Sequence, residues 1–338
     1  MNRNPVSDPV VRLLRQLVVL ACLGWLPFLS FGVAAAEPAQ VITGAYLNKV
    51  EDVSFKDSKF SADFYIWFRW KPVGALADFK PLDSFGLVNG KVDNKTIVDE
   101  KQIGDEMFAS ARVTATVSKP WELANFPFDQ HTVRIQIEDE KFHAGEMVYV
   151  IDAANSALGD EAVIPGWTLS KFIAEVSQHE YHSNYGDVSL PTGNKVHYSR
   201  LSFGMDMDRS DLGTPAKLLS TLVVATLLAF LVFWITPSAV DPRFGLGVGS
   251  LFAVSASAFV VASSVPDSAP MTVADKLHAI AVVFIFLSIL ASTVALHWAE
   301  AEQVAKWKRL DRWCQVLFPG LFLLTVYWFS HTASIAGN

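Results

Sequence analysis

The sequence predicts an antiparallel β-sandwich of immunoglobulin-like type over residues 37–209, followed by a bundle of four membrane-spanning helices over 210–338. Three observations predict this division. Runs without Asp, Glu, Lys or Arg cover 16–36, 218–240, 244–266, 277–299 and 313–338. Each is long enough for one helix across a hydrocarbon core of about 30 Å. No such run lies between 37 and 211, where short segments instead alternate apolar and polar residues.

The first run belongs to neither half. Arg3, Arg12 and Arg15 precede an apolar stretch, and Ala34-Ala35-Ala36 supplies an Ala-x-Ala site. This is the pattern of a cleaved signal peptide over 1–36. Cleavage removes three Arg and one Asp, taking the net charge from −7 to −9. It also removes Cys22, leaving only Cys314, inside the last apolar run. The exported domain then has no disulfide and relies on a packed core.

Within 37–209 the strands declare themselves by period two. Phe64, Ile66, Phe68 and Trp70 mark one strand, and 111–117, 132–137 and 201–207 alternate cleanly. Segments 148–151 and 167–173 add two more. Many short strands between Gly, Pro, Asn and Asp imply a sandwich. No nucleotide-binding, hydrolase or metalloprotease motif is present, so an enzyme, a cofactor and a metal site are not expected. His179 and His182 are two candidate ligands, too few for a metal centre. Asn94-Lys-Thr96 is a glycosylation sequon by pattern alone. With 51% hydrophobic and 18% charged residues and a mean hydropathy of +0.30, the chain is too apolar for an ordinary soluble protein. Its negative charge argues against a nucleic-acid partner.

The four spans are expected near 212–235, 241–264, 271–298 and 313–336. Lys306, Lys308, Arg309 and Arg312 lie between the last two. The positive-inside rule puts that connection in the cytoplasm and the 37–209 domain outside it, as the signal peptide also requires. In a bacterium this is a multi-pass inner-membrane protein with a periplasmic domain. The second span differs from the others, since half of its 24 residues are Gly, Ala or Ser. Asp241, Gly245, Gly249, Phe252, Ala256, Phe259 and Ser263 recur at spacings of three and four, so they share one helical face. Repeated around an axis, that face would line a pore with an acidic ring and aromatic constrictions. A packing face through Gly245-x-x-x-Gly249 is the other reading.

The segment from Ser118 to Thr132, Ser-Lys-Pro-Trp-Glu-Leu-Ala-Asn-Phe-Pro-Phe-Asp-Gln-His-Thr, resembles the signature loop of the pentameric ligand-gated ion channels, the Cys-loop receptor superfamily. Ser118 and Thr132 stand where most of the family has cysteines, as in bacterial members without the disulfide. Where the family has Gln two residues after the Asp, this chain has His131. Gly44–Leu47, Phe60–Trp70, Gly166-Trp167, Arg209, Arg243–Gly247, Pro266 and Trp313–Phe329 extend the resemblance over most of 41–336. A Trp-x-Pro-Asp/Glu motif in 71–111 and an internal proline in the first span are missing.

The resemblance implies a homopentamer in the lipid bilayer whose second spans line a pore for monovalent cations. Phe252 falls at the usual hydrophobic gate, with Phe259 one heptad outward. Asp241 falls at the selectivity position, although Pro242-Arg243 is also similar to anion-selective members, so anion selectivity stays open. The ligand site would involve Glu138, Asp139 and Phe142 and a capping loop with Tyr181 and Tyr185. These groups would suit an amine by cation–π and charge pairing; protons are the alternative stimulus, and a non-conducting sensor a further reading. Coupling between the halves is expected at Arg209, Pro266 and the candidate partners Asp129 and Asp57.

Overall fold

The computed structural model describes residues 37–184, 186, 195–209 and 213–336. The expected signal peptide, Cys22 and Tyr185 lie outside the described residues.

Among the described residues, ten strands build two facing sheets. The first has six: β1 (Ala39–Ser54), β2 (Lys59–Trp70), β4 (Gly90–Ile103), β5 (Glu106–Ser118), β7 (Met147–Ile151) and β8 (Ala157–Leu158). Their order is β4-β5-β2-β1-β7, with β8 also on β1. The second runs β3-β6-β10-β9, from β3 (Phe85–Leu87), β6 (Gln130–Asp139), β10 (Val196–Arg209) and β9 (Trp167–Tyr181). Alternation decides which side chains turn inward. From β2, Phe60, Phe64, Ile66 and Phe68 enter the core, and β10 answers with Leu201, Phe203, Met205 and Met207. Phe64 and Phe203 meet edge-to-face across the sheets, their centroids 5.1 Å apart. Small Ala109, Ala111 and Ala115 on β5 leave room for these rings.

Two features depart from the expected all-antiparallel sandwich. Both β7 and β8 pair parallel to β1. The chain leaves β6 in the second sheet and crosses to the first, so it reaches the β1 edge without a hairpin. The sequence reading also passed over β4, whose side chains are half-buried or exposed throughout. It is an edge strand with little apolar signal.

Four helices follow: α1 (Gly213–Phe230), ending in a 3-10 turn at Leu231–Trp234, α2 (Val240–Ser264), α3 (Val273–Glu300) and α4 (Val304–Ala336). All four are long and apolar enough to cross a membrane. Phe230, Phe233, Phe284, Phe318 and Phe322 interlock α1, α3 and α4, with neighbouring ring centroids 5.1–6.0 Å apart. The connection expected over 299–312, between the third and fourth spans, is much shorter. Only Ala301, Glu302 and Gln303 separate α3 from α4, and the basic residues 306–312 are already helical. Charge hides this start from a hydropathy reading, because the helix begins before its apolar run does.

Candidate functional site

The exposed face of α2. The helix has two unlike sides. Arg243, Gly247, Ser250, Val254, Ser257 and Val261 are buried against the rest of the bundle. Asp241, Gly245, Gly249, Phe252, Ala256, Phe259 and Ser263 are all exposed in the single chain. Phe252 and Phe259 keep 72% and 75% of their surface, a large desolvation cost unless other copies or a narrow lumen surround them. The small residues divide in the same way. A Cβ on Gly247 would come within 2.7 Å of Ile289 on α3, whereas none of Gly245 or Gly249 has an atom within 4 Å. The close approach inside the chain therefore uses Gly247, and the Gly245-x-x-x-Gly249 face is left unpacked.

Asp241 sits in the first turn of α2, where the helix dipole favours a carboxylate. Arg243, two residues on, faces the other way and is fully buried. Its guanidinium grips Asp311 of α4 in a two-pronged pair, Nη2–Oδ1 2.6 Å and Nη1–Oδ2 3.0 Å, and donates to the Ile235 carbonyl at 2.5 Å. The sequence reading left the direction of Arg243 open, and Asp311 gave no signal because its partner is 68 residues away. A second tie, His278 Nε2 to Ser257 Oγ at 3.1 Å, joins α3 to α2 higher up.

The cavity in the outer domain. A cavity of about 460 Å³ is lined by residues including Glu138, Asp139, Tyr181 and Tyr198. Glu138 is nearly buried and already engaged, accepting from Arg200 Nε at 2.7 Å and from the Tyr181 hydroxyl at 2.9 Å. Arg200 Nη2 also reaches the Tyr181 oxygen at 3.1 Å. The place where an amine would pair with Glu138 is thus held by the chain's own guanidinium. Asp139 turns inward and accepts from Ser84 Oγ at 2.6 Å and from the backbone N–H groups of Lys141 and Phe142. Burial raises its pKa, opposed by those hydrogen bonds. Phe142 packs edge-on against Phe79 rather than lining the cavity. His179 packs edge-on against Tyr181, and His182 lies 3.4 Å from Glu180; no group of metal-binding side chains occurs among the described residues.

The junction of the two halves. Arg209, the last residue of β10, is buried against Asp129 with Nε–Oδ1 at 3.1 Å. Its guanidinium lies 4.3 Å from the Trp167 ring and within 6 Å of Phe55 and Phe126. The second Asp129 oxygen bonds His131 Nε2 at 2.5 Å. Burial alone would raise the Asp129 pKa, but His131 and Arg209 outweigh it and hold the carboxyl below its usual value. Asp57 does not join this cluster. It stays in the β1–β2 turn with Ser54 and Lys59, because the Arg209 position is already enclosed by rings. The loop carrying Asp129 also reaches the helices directly. Val273 and Ala274, whose N–H groups at the start of α3 lack intrahelical partners, donate to the carbonyls of Ala124 and Phe126. Thr272 and Asp275 complete the cap as a capping box. Pro266 lies in the α2–α3 connection and its carbonyl accepts from Ala269 N–H.

No protein-family profile matches the chain. It is similar to a proton-gated ion channel of Gloeobacter violaceus, 21% identical over 308 residues, 86% of this chain and 82% of that protein. A gamma-aminobutyric acid receptor subunit pi of Bos taurus is 21% identical over 297 residues, 80% of this chain and 63% of the subunit. A gamma-aminobutyric acid receptor subunit beta of Caenorhabditis elegans is 25% identical over 180 residues, 53% of this chain. The chain spans less than two thirds of both receptor subunits. The two-sheet outer domain, the loop 118–132 with Ser and Thr at its ends and the four apolar helices give the chain its likeness to the pentameric ligand-gated ion channel superfamily, to which these relatives belong.

Proposed function

We propose that five copies of this chain form a cation-selective channel, lined by the α2 helices and opened from the outer domain. The observation that carries this reading is the two-sidedness of α2. One face is exposed over its whole length and bears Asp241 at its start, while the nearby Arg243 is buried and neutralised by Asp311. A fivefold ring of carboxylates at a narrow mouth concentrates cations, and no exposed base on the same turn opposes it. Five copies of Phe252 and of Phe259 then form the apolar constrictions that hold the pore shut by dewetting.

Protons are the favoured stimulus over a free amine. Arg200 already occupies the charged end of the outer cavity, so an amine would have to displace it from Glu138. The relative covered over most of its length is itself described as proton-gated. The domain would sit on the periplasmic side of an inner membrane, with the basic start of α4 in the cytoplasm.

Phe252→Ser tests the gate. Replacing five phenyl rings by hydroxyls is expected to raise resting sodium flux into liposomes roughly tenfold, equivalent to about 1.4 kcal/mol in the closed–open balance. A Phe252→Ser pentamer as tight as the parent at rest would show that the constriction lies elsewhere.

A further inference from the structure

Four of the chain's eight histidines, His143, His179, His182 and His197, gather at one end of the hairpin formed by β9 and β10. Neither the pore nor the junction uses them. Register sorts them by side. His179 stands opposite Tyr198, and Glu180 opposite His197. Successive strand residues alternate, so His179, Tyr181 and Tyr198 share one side, which walls the cavity through its two tyrosines. Glu180, His182 and His197 share the other. There Glu180 is ringed by bases. Lys195 Nζ lies 2.6 Å and His182 Nδ1 3.4 Å from Oε1, and His197 Nε2 lies 3.7 Å from Oε2. The β6–β7 connection packs on the same end, Ala144 N–H donating to the His197 carbonyl at 2.6 Å. Its own carboxylate, Glu146, is held by His143 at 3.6 Å. Each of His182 and His197 thus aims a ring nitrogen at one carboxylate from beyond the length of a good hydrogen bond. Lys195 holds Glu180 below the usual carboxylate range, so it stays anionic while imidazoles take up protons. Both imidazoles are exposed, and protons reach them from solvent.

Granting protons as the stimulus, on which this rests, we propose that His182 and His197, converging on Glu180, are the proton-binding site that opens the channel. Once charged, both close on the one carboxylate and draw the ends of β9 and β10 together behind Tyr181 and Tyr198. A carboxylate has lone pairs enough for both imidazoles and Lys195. A histidinium that gains this partner in the open state binds its proton more tightly there, so falling pH favours that state. Each pair is exposed and therefore weak. Two imidazoles in each of five copies make ten, however, and a roughly threefold preference at each multiplies past the about ten-thousandfold bias that carries a two-state equilibrium from 1:99 to 99:1.

The test is sodium flux into liposomes carrying the full-length protein, read from neutral to acid pH for the parent, H182Q/H197Q, E180Q and K195Q. At about pH 5.5, where unperturbed imidazoles are mostly charged, H182Q/H197Q is expected to pass at least roughly tenfold less sodium than the parent. E180Q keeps both imidazoles but removes their partner, so its half-activation is expected to move toward acid. K195Q is expected to move the other way, toward neutral pH, because the imidazoles no longer share Glu180 with a lysine. Should H182Q/H197Q fail to assemble, the opposite shifts of E180Q and K195Q decide, since a merely structural role would not give them opposite signs. An acid-opened parent whose H182Q/H197Q and E180Q variants open at the parental pH overturns this site and leaves proton opening standing. So does a K195Q shift in the same direction as E180Q. A parent that acid never opens overturns proton opening and this site together.

Discussion

Arg243→Ala is expected to prevent assembly of a stable pentamer. The substitution leaves the Asp311 carboxylate buried without its partner and frees the Ile235 carbonyl, and breaking a buried pair of this kind costs about 3–5 kcal/mol. Asp311→Asn should be comparably damaging, because Arg243 is fully enclosed and cannot reach water. The double variant R243M/D311L should recover much of the loss, since an apolar pair of similar volume avoids the desolvation cost. Gel filtration of purified protein, with a melting curve for each variant, decides the matter. Single variants that assemble and melt like the parent would mean the pair holds nothing together. In that case α2 would lose its fixed orientation, and with it the separation of Asp241 from Arg243.

The second large effect is expected at Asp129. Asp129→Asn keeps the shape but removes the charge that neutralises Arg209 and orients His131. Arg209 would be left among three rings with no counter-charge, a loss again of about 3 kcal/mol. Because the same loop donates its carbonyls to the start of α3, the opened state should suffer as well. Any Asp129→Asn pentamers that form should give a maximal current at least roughly tenfold below the parent, a difference of ~1.4 kcal/mol in the gating equilibrium. The pH dependence follows from the lowered pKa. A carboxylate held below its ordinary value of 3.8 contributes its full stability above that value and loses it only as pH falls through the lower, folded-state pKa. Protonation of Asp129 should therefore not erode the stability difference between parent and Asp129→Asn from pH 7 to pH 5. A difference that disappears across that window would contradict this assignment. Since Asp129 does not titrate there, a mildly acidic stimulus has to act on other groups.

Period-two alternation was enough to read β2, β5, β6 and β10, because each buries one full face in a shared core. Edge strand β4 buries almost nothing, so its residues carry no pattern. The parallel entry of β7 depends on a crossing between sheets that no local segment encodes. On α2 the seven exposed positions followed from helical spacing and small-residue content. The inward direction of Arg243 did not, because only the fold brings Asp311 to it. Glu138 came to notice only through the resemblance, and its prior occupation by Arg200 depends on β6 and β10 lying side by side. For Arg243 and Glu138 the residue was visible and its partner was not.

The central claim is that Asp241, and not Arg243, sets the charge of the pore. The most direct test is the reversal potential of the reconstituted channel under a sodium chloride gradient, with pH stepped during recording, for the parent and for Asp241→Asn. The account predicts reversal near the sodium potential in the parent and a shift toward zero in Asp241→Asn. Reversal near the chloride potential in the parent would contradict it.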